Sequence, residues 1–371
     1  MTRPLAYRKD FALNAICPYF TMFPIEYPLR IIRRHIENAK VIFDPFCGRG
    51  TTIYAARRLG VSSYGLDISP IAVAIARAKL ATGTSNEVIE LAEELVERAP
   101  KHVPETSFFR RGFAKRTLQE LCSLREGLID EKRPSNASAL LRAAALGCLH
   151  GPMMTGNDTP SYFSNQMPRT FASKPNYSVR FWKERELYPP VVSVVDVLRK
   201  KLSRITDLDS EAYGSTRNIK SMDARKARSF RSIPKVSVTV TSPPYYGMRT
   251  YVQDQWLRMW FLGGPEDIDY IPQHQICHTG HGAFISDLAK VWRNVRKYSR
   301  SDAHLYVRFG ALPSAKSDPR FLLRSSLEEA GGWRLISVRN AKTSQAGKRQ
   351  ADQMGRESEP AEEYDFHAIA D

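Results

Sequence analysis

Two short stretches carry side chains whose types and spacing suit chemistry on a nucleoside-sized ligand. The first, 44–51, reads Asp44-Pro45-Phe46-Cys47-Gly48-Arg49-Gly50-Thr51. Gly48 and Gly50 allow a tight turn in which backbone approaches a ligand with no Cβ in the way. Asp67 follows 17 residues after Gly50, a spacing that suits an acid accepting hydrogen bonds from ribose hydroxyls. The second stretch is Thr241-Ser242-Pro243-Pro244-Tyr245. Its serine hydroxyl and proline carbonyl are acceptors, and consecutive prolines offer no competing N–H and a fixed φ. Tyr245 adds a flat ring beside them. Such a set can hold a group that donates two hydrogen bonds.

The elements that must position these residues are legible around them. Val41, Ile42 and Phe43 form a short apolar run that predicts a buried strand. A helix pattern over 51–59, with Ile53, Ala56 and Leu59 on one face, stops at Gly60, and a second strand over 63–66 leads into Asp67. This is the first βαβ unit of a doubly wound sheet, with its ligand at the strand C-termini. Ile53 stands where the dinucleotide fingerprint wants a third glycine, which counts against a nicotinamide or flavin site. A plain glycine turn remains the bland alternative for the loop alone. The β-branched run 235–240 predicts a strand that delivers Ser242 to its own C-terminal end.

With those elements placed, DPFCGRGTT resembles the S-adenosylmethionine loop of DNA methyltransferases that modify exocyclic amino groups. TSPPY resembles their catalytic motif in its cytosine-N4 version; the adenine-N6 version usually starts with Asp or Asn. The resemblance covers about 15–82 and 220–371 and implies an α/β fold of the class I methyltransferase, Rossmann-like type. That is a doubly wound, mostly parallel sheet with a final antiparallel hairpin, here carrying a large, mainly helical and irregular insert. It implies S-adenosylmethionine as cofactor, held by Asp44, Pro45, Phe46, Gly48, Gly50, Thr51, Asp67 and Ile68. It implies Ser242, Pro243, Pro244 and Tyr245 as the catalytic residues, acting on a base flipped out of the duplex.

In the resembled family a proline- and aromatic-containing segment upstream of the loop packs beside the methionine end of the cofactor. Tyr19, Phe20 and Pro24 are the candidates, and an aromatic staple for the first helix is an equal alternative. Ser221-Met222-Asp223-Ala224-Arg225 resembles the third cofactor segment, in which an acid, here Asp223, meets the adenine amine. The large insert precedes this segment, whereas the usual order places target recognition after it or at the chain end. The implied product is N4-methylcytosine in DNA. Rival readings are adenine-N6 or RNA amino-methylation, and a non-catalytic DNA-binding protein on the same fold. The last should have lost the glycines, Asp67 or Pro-Pro-Tyr, and all are present.

The 371 residues suffice for this core and one further module. A net charge of +16 suggests a polyanionic partner, though charge alone does not separate DNA from RNA or a membrane. The stretch 101–235 holds 25 Lys and Arg against 13 Asp and Glu. The expected division is 1–100 and 216–371 for the core and 101–215 for a basic, target-recognising insert. Within it, 150–190 reads as irregular, with Tyr162, Phe163, Phe171, Tyr177, Phe181 and Trp182 among basic and amide side chains. That mixture suits phosphate contact and base stacking, or simply a small aromatic core. Five cysteines without paired spacing and no long apolar run predict reduced thiols and a cytoplasmic, non-membrane protein. His274, Cys277, His278 and His281 mimic a zinc cluster, but nearby Pro272, Gly280 and Gly282 argue for a loop, and no metal is expected. Restriction–modification with a partner endonuclease, a solitary role and phage defence all fit the sequence.

Overall fold

The computed structural model describes residues 9–19, 23–152, 159–205, 208, 211, 213–247, 252–268, 276, 280–311, 317–341 and 362–371. The chain forms two compact units. A sheet unit comprises Thr21–Ala76, Tyr213–Thr250 and Gln273–Asp371, and a helical unit comprises Met1–Phe20, Arg77–Ala212 and Tyr251–Pro272.

The sheet unit holds β1 (Ile42–Asp44), β2 (Ser63–Asp67), β3 (Ile219–Ser221), β4 (Val236–Thr241), β5 (Ser299–Gly310), β6 (Trp333–Asn340) and β7 (Glu363–Ala370). Their order is β3-β2-β1-β4-β5-β7-β6. The first five run parallel to one another, and β7 lies antiparallel between β5 and β6. This is the mostly parallel, doubly wound sheet with a final antiparallel hairpin that the motifs imply. All six residues of β4, Val-Ser-Val-Thr-Val-Thr, are buried, as a central parallel strand covered on both faces requires.

Helices α1 (Glu26–Arg34) and α2 (Thr51–Arg58) belong to the sheet unit, and α3 (Pro70–Ala78) carries the chain out of it. The helical unit contains α4 (Ser85–Val96), α5 (Ser107–Gly112), α6 (Lys115–Asp130), α7 (Asn136–Cys148), α8 (Pro175–Glu184), α9 (Val194–Leu202) and α10 (Trp256–Phe261). Helices α11 (His281–Tyr298) and α12 (Pro319–Ala330) return to the sheet.

Side chains alternate along β5, and the alternation explains how the sheet is covered. Leu305, Val307 and Phe309 join one apolar cluster with Phe284, Leu288 and Trp292 of α11 and Leu322, Leu323 and Leu327 of α12. The intervening residues meet α1. The Tyr306 hydroxyl lies 2.9 Å from Nε2 of His35, which caps that helix, and the Arg308 guanidinium sits 4.0 Å over the Tyr27 ring.

The helical unit has its own aromatic core. Phe108 and Phe109 of α5 pack against Trp256 and Trp260 of α10 at 4.6 and 4.7 Å. Arg258 is buried there, donating to the carbonyls of Leu146, Thr170 and Arg169 and to Oε1 of Gln255. So the tryptophans of 255–262 are core residues, and so are Phe163 and Trp182.

Three expectations change. The stretch 150–190 is not wholly irregular, because α8 forms in it with Pro175 at its first turn and Ser178, Val179 and Trp182 buried at helical spacing. The sequence also carries a helical pattern over 189–205, and the helix in it starts only at Val194, where the Ser193 side chain accepts from the Asp196 N–H. The helical unit starts at Arg77 rather than 101 and draws in 9–19 and 252–268, which share its core. Among the described residues, no helix is long and apolar enough to cross a membrane.

Candidate active site

The strand order reverses between β1 and β4, and a doubly wound sheet binds its ligand at the carboxyl ends of the strands flanking such a point. β1 ends in Asp44 and β4 in Thr241, and these two side chains are joined: Thr241 Oγ1 donates to Asp44 Oδ1 at 2.6 Å. Asp44 Oδ1 also accepts from the Phe46 N–H at 3.1 Å. Burial pushes the Asp44 carboxyl up to about 7, against the hydrogen bonds from Thr241, Thr52 and Phe46 that favour its charge. Asp44 therefore builds the loop from inside, with Pro45 buried beside it. Phe46 is half-buried and meets the edge of Trp292 at 6.1 Å.

Gly48 and Gly50 both have positive φ, +48° and +76°, and Gly50 is the N-cap residue of α2. Any side chain at Gly50 would be strained in this left-handed conformation. Thr51 opens α2 and is buried, and Thr52 Oγ1 ties the helix to the Val240 carbonyl at 3.1 Å.

Asp67 clamps the loop from the neighbouring strand. Its Oδ2 accepts from the Gly48 N–H at 2.9 Å and its Oδ1 from the Ser69 N–H at 2.8 Å. Burial raises its pKa, and the N–H groups of Ser69, Gly48 and Ile68 work against that rise. A carboxylate has about four lone-pair sites, so these three N–H groups leave acceptor capacity for a ribose hydroxyl. The adjoining Ile68 is 37% exposed, an apolar side chain open at the strand end. A nucleoside fits this donor set: an acid for the hydroxyls, an apolar surface for the base and a glycine backbone for close approach.

Asp223 comes to the same end of the sheet, since Met222 N–H donates to the Asp67 carbonyl at 2.9 Å. Its carboxylate is taken up by Arg225, through Nε at 3.0 Å and Nη2 at 2.9 Å, and Arg225 also reaches Asp287 at 2.6 Å. Burial would raise the Asp223 pKa, but the bonds from Arg225 outweigh it and hold it below the usual range. The sequence does not announce this Asp223–Arg225–Asp287 chain. Tyr19 is half-buried in the helical unit, Pro24 is exposed in the sheet unit, and Phe20 lies outside the described residues.

The strand-end motif is equally ordered by its surroundings. Ser242 is half-buried and Pro243 buried, and Pro244 leads into Tyr245. The Tyr245 ring meets Phe309 edge-on at 5.9 Å, and Gly310 makes room for it: a Cβ there would lie 3.0 Å from the ring and 2.7 Å from the Glu362 carbonyl. The Tyr245 hydroxyl is hydrogen-bonded to the side chains of Glu363 and Ser242. Burial, and then the Glu363 charge, raise its pKa well above that of an ordinary tyrosine. Sequence reasoning missed Glu363 because it lies 118 positions from Tyr245, and only the β5–β7 pairing, Gly310 opposite Glu363, brings it here. Tyr246 continues the pairing by a bridge to Ala311, and 248–251, which the sequence marks as an active-site loop with Tyr246 and Gly247, lie outside the described residues. So do His274, Cys277 and His278; His281 begins α11 with Nε2 2.7 Å from Ser317 Oγ.

Residues 6–78 match the family model described as DNA methylase. Over 68 residues the chain is 37% identical to the type II methyltransferase M.MjaII of Methanocaldococcus jannaschii, a match spanning 18% of this chain and 13% of that protein. Among solved structures, TrmN from Thermus thermophilus is 11% identical with a TM-score of 0.38, covering 100% of this chain and 54% of that one. The rRNA methyltransferase aviRa from Streptomyces viridochromogenes is also 11% identical, with a TM-score of 0.35 and coverage of 95% and 87%. The matched residues 6–78, which hold Asp44, the two glycines and Asp67, are similar in sequence to DNA methylases.

Proposed function

We propose that this protein transfers a methyl group from S-adenosylmethionine to the N4 amine of a cytosine flipped out of DNA. The observation that carries the proposal is the 2.6 Å bond between Thr241 and Asp44, which fastens the glycine loop and the Ser-Pro-Pro-Tyr segment side by side at the switch point. S-adenosylmethionine, when bound, supplies an activated methyl group. The glycine loop, Asp67 and Ile68 hold its nucleoside part. Ser242 Oγ and the Pro243 carbonyl accept hydrogen bonds from the two N–H groups of the target amine; the methyl–sulfur bond breaks as the methyl–nitrogen bond forms, and one amine proton is released to solvent. The amine lone pair is otherwise delocalised into the ring, and two acceptors draw the nitrogen towards a tetrahedral form whose lone pair is available. Alignment of the reacting groups by such fixed acceptors is worth roughly 7–11 kcal/mol of barrier in favourable cases. Tyr245 offers a stacking face for the extruded base, offsetting part of the few kcal/mol of unstacking. A serine at position 242, where the adenine enzymes usually carry Asp or Asn, favours cytosine.

The test is incubation with duplex DNA and isotopically labelled S-adenosylmethionine, followed by digestion and nucleoside mass spectrometry. Labelled N4-methylcytosine is expected. Labelled N6-methyladenine would reassign the base, and label only in ribonucleosides offered alongside would reassign the polymer.

A further inference from the structure

The helical unit contains a cavity of about 650 Å³, within the usual range for small-ligand sites. Its walls include Met167, Phe171, Tyr177, Phe181 and the edge of buried Trp182. Two residues of opposite charge share the lining, Lys174 and Asp254. α8 shapes the aromatic wall: Tyr177 and Phe181, one turn apart, lie 6.2 Å from each other with their planes inclined by 23°. Tyr177 is 52% exposed, although a core role would have buried it. Cations ride on the same rings, Arg185 at 4.2 Å from the Phe181 centroid and Arg180 at 5.9 Å from that of Tyr177. Between Gln166 and Glu186 the sequence has five cations and two acids, in a unit whose charges otherwise nearly balance.

We propose that this pocket receives one unpaired nucleobase carrying an exocyclic amine, from the DNA strand that the protein binds. Aromatic faces such as that of exposed Tyr177 can stack on any base, and neighbouring guanidinium and ammonium groups meet the phosphates on either side. Asp254 selects the amine, since a carboxylate accepts from an amino group and repels a carbonyl edge. Burial raises the Asp254 pKa and the Lys174 charge opposes that rise, so the acid and its counter-charge act together in the pocket. The pocket is formed entirely within the helical unit, whereas Ser242 and Tyr245 belong to the sheet unit. It is therefore a second base site, and it rests on the reading of DNA as substrate.

The test uses the full chain and three single-stranded 12-mers of equal phosphate number: oligodeoxycytidine, oligodeoxythymidine and an abasic strand. Affinities are measured at fixed salt for the wild type, for Tyr177→Leu/Phe181→Leu and for Asp254→Asn. Asp254→Asn keeps side-chain bulk, the leucines keep apolar character while removing the flat rings, and a thermal melt of each variant accompanies the binding data. The wild type should prefer oligodeoxycytidine to the abasic strand by roughly 5- to 150-fold for a stacked base. The double variant should lose most of that preference, and Asp254→Asn should lose the preference for cytidine over thymidine while keeping the stacking gain. Wild-type ratios in both folded variants would overturn the pocket assignment while leaving DNA binding intact. Failure of the wild type to bind any of the three strands while it methylates duplex DNA would overturn this proposal alone; failure with duplex DNA as well would overturn the DNA reading too.

Discussion

The Tyr245 hydroxyl is shared between Ser242 and Glu363, so a phenylalanine there removes more than a polar tip. From the sequence, Tyr245→Phe looks nearly harmless because the ring alone stacks. The structure predicts a stability loss of about 1–3 kcal/mol, since the half-buried Glu363 carboxylate loses a donor; chemical denaturation measures it, and an unchanged midpoint would show that the hydroxyl bonds contribute nothing. Asp67→Ala removes both the clamp on the glycine loop and the ribose acceptor, and calorimetry should show S-adenosylmethionine bound more than tenfold more weakly. Unchanged affinity would remove Asp67 from the site. Asp44 adds a pH signature. Its folded pKa of about 7 lies above the ordinary aspartate value of about 4, so it favours folding at low pH and loses that contribution as pH rises through 7. Asp44→Asn lacks this loss, and the melting temperature of the variant relative to wild type should climb between pH 4 and 7. A flat difference across that window would contradict a buried, protonatable Asp44.

Among the elements, those that carry the chemistry were the most legible. β1, α2 and β2 lie within one or two residues of their sequence-based limits, because glycines, an N-terminal helix start and β-branched runs punctuate them locally. β4 and the antiparallel β7 were readable for the same reason. α5 and α8 were not, because their aromatic residues form a core that only α10, far along the chain, completes. Glu363 and Arg225 escaped because sheet pairing and a salt-bridge chain, neither local in sequence, give them their partners. The same pairing of β5 with β7 places His304 Nδ1 2.9 Å from His367 Nε2, with the His367 ring stacked on Tyr306 at 4.2 Å. Burial, and then the neighbouring His304 and His35, push His367 down to about 4. An unfolded histidine takes a proton near pH 6.5, so stability should fall as pH drops from about 6.5 to about 4. His367→Asn should flatten that acid limb in thermal melts, and an unaltered limb would mean that the histidine pair does not set it.

At the scale of the molecule, the division into two units relocates the positive charge. Over the whole sequence the helical unit has 25 Lys and Arg against 22 Asp and Glu, and the sheet unit 30 against 17. Part of the excess within 101–235 therefore belongs to the sheet unit around β3, where Arg217, Lys226, Arg228, Arg231 and Lys235 are exposed. DNA affinity should fall steeply with salt, and replacing Lys226, Arg228 and Arg231 by Gln should lower the slope of log affinity against log salt by about 0.9 for each phosphate no longer neutralised. An unchanged slope would return phosphate binding to the helical unit. The function proposed for this protein stands on Ser242 acting at the amine beside the glycine loop. The most direct measurement is single-turnover transfer of labelled methyl from S-adenosylmethionine into duplex DNA by wild type and Ser242→Ala, with cofactor affinity measured on both. The missing acceptor matters chiefly as the nitrogen changes geometry, so transfer should drop at least about tenfold while cofactor affinity stays nearly constant. Full transfer by Ser242→Ala would contradict a role for this serine at the amine.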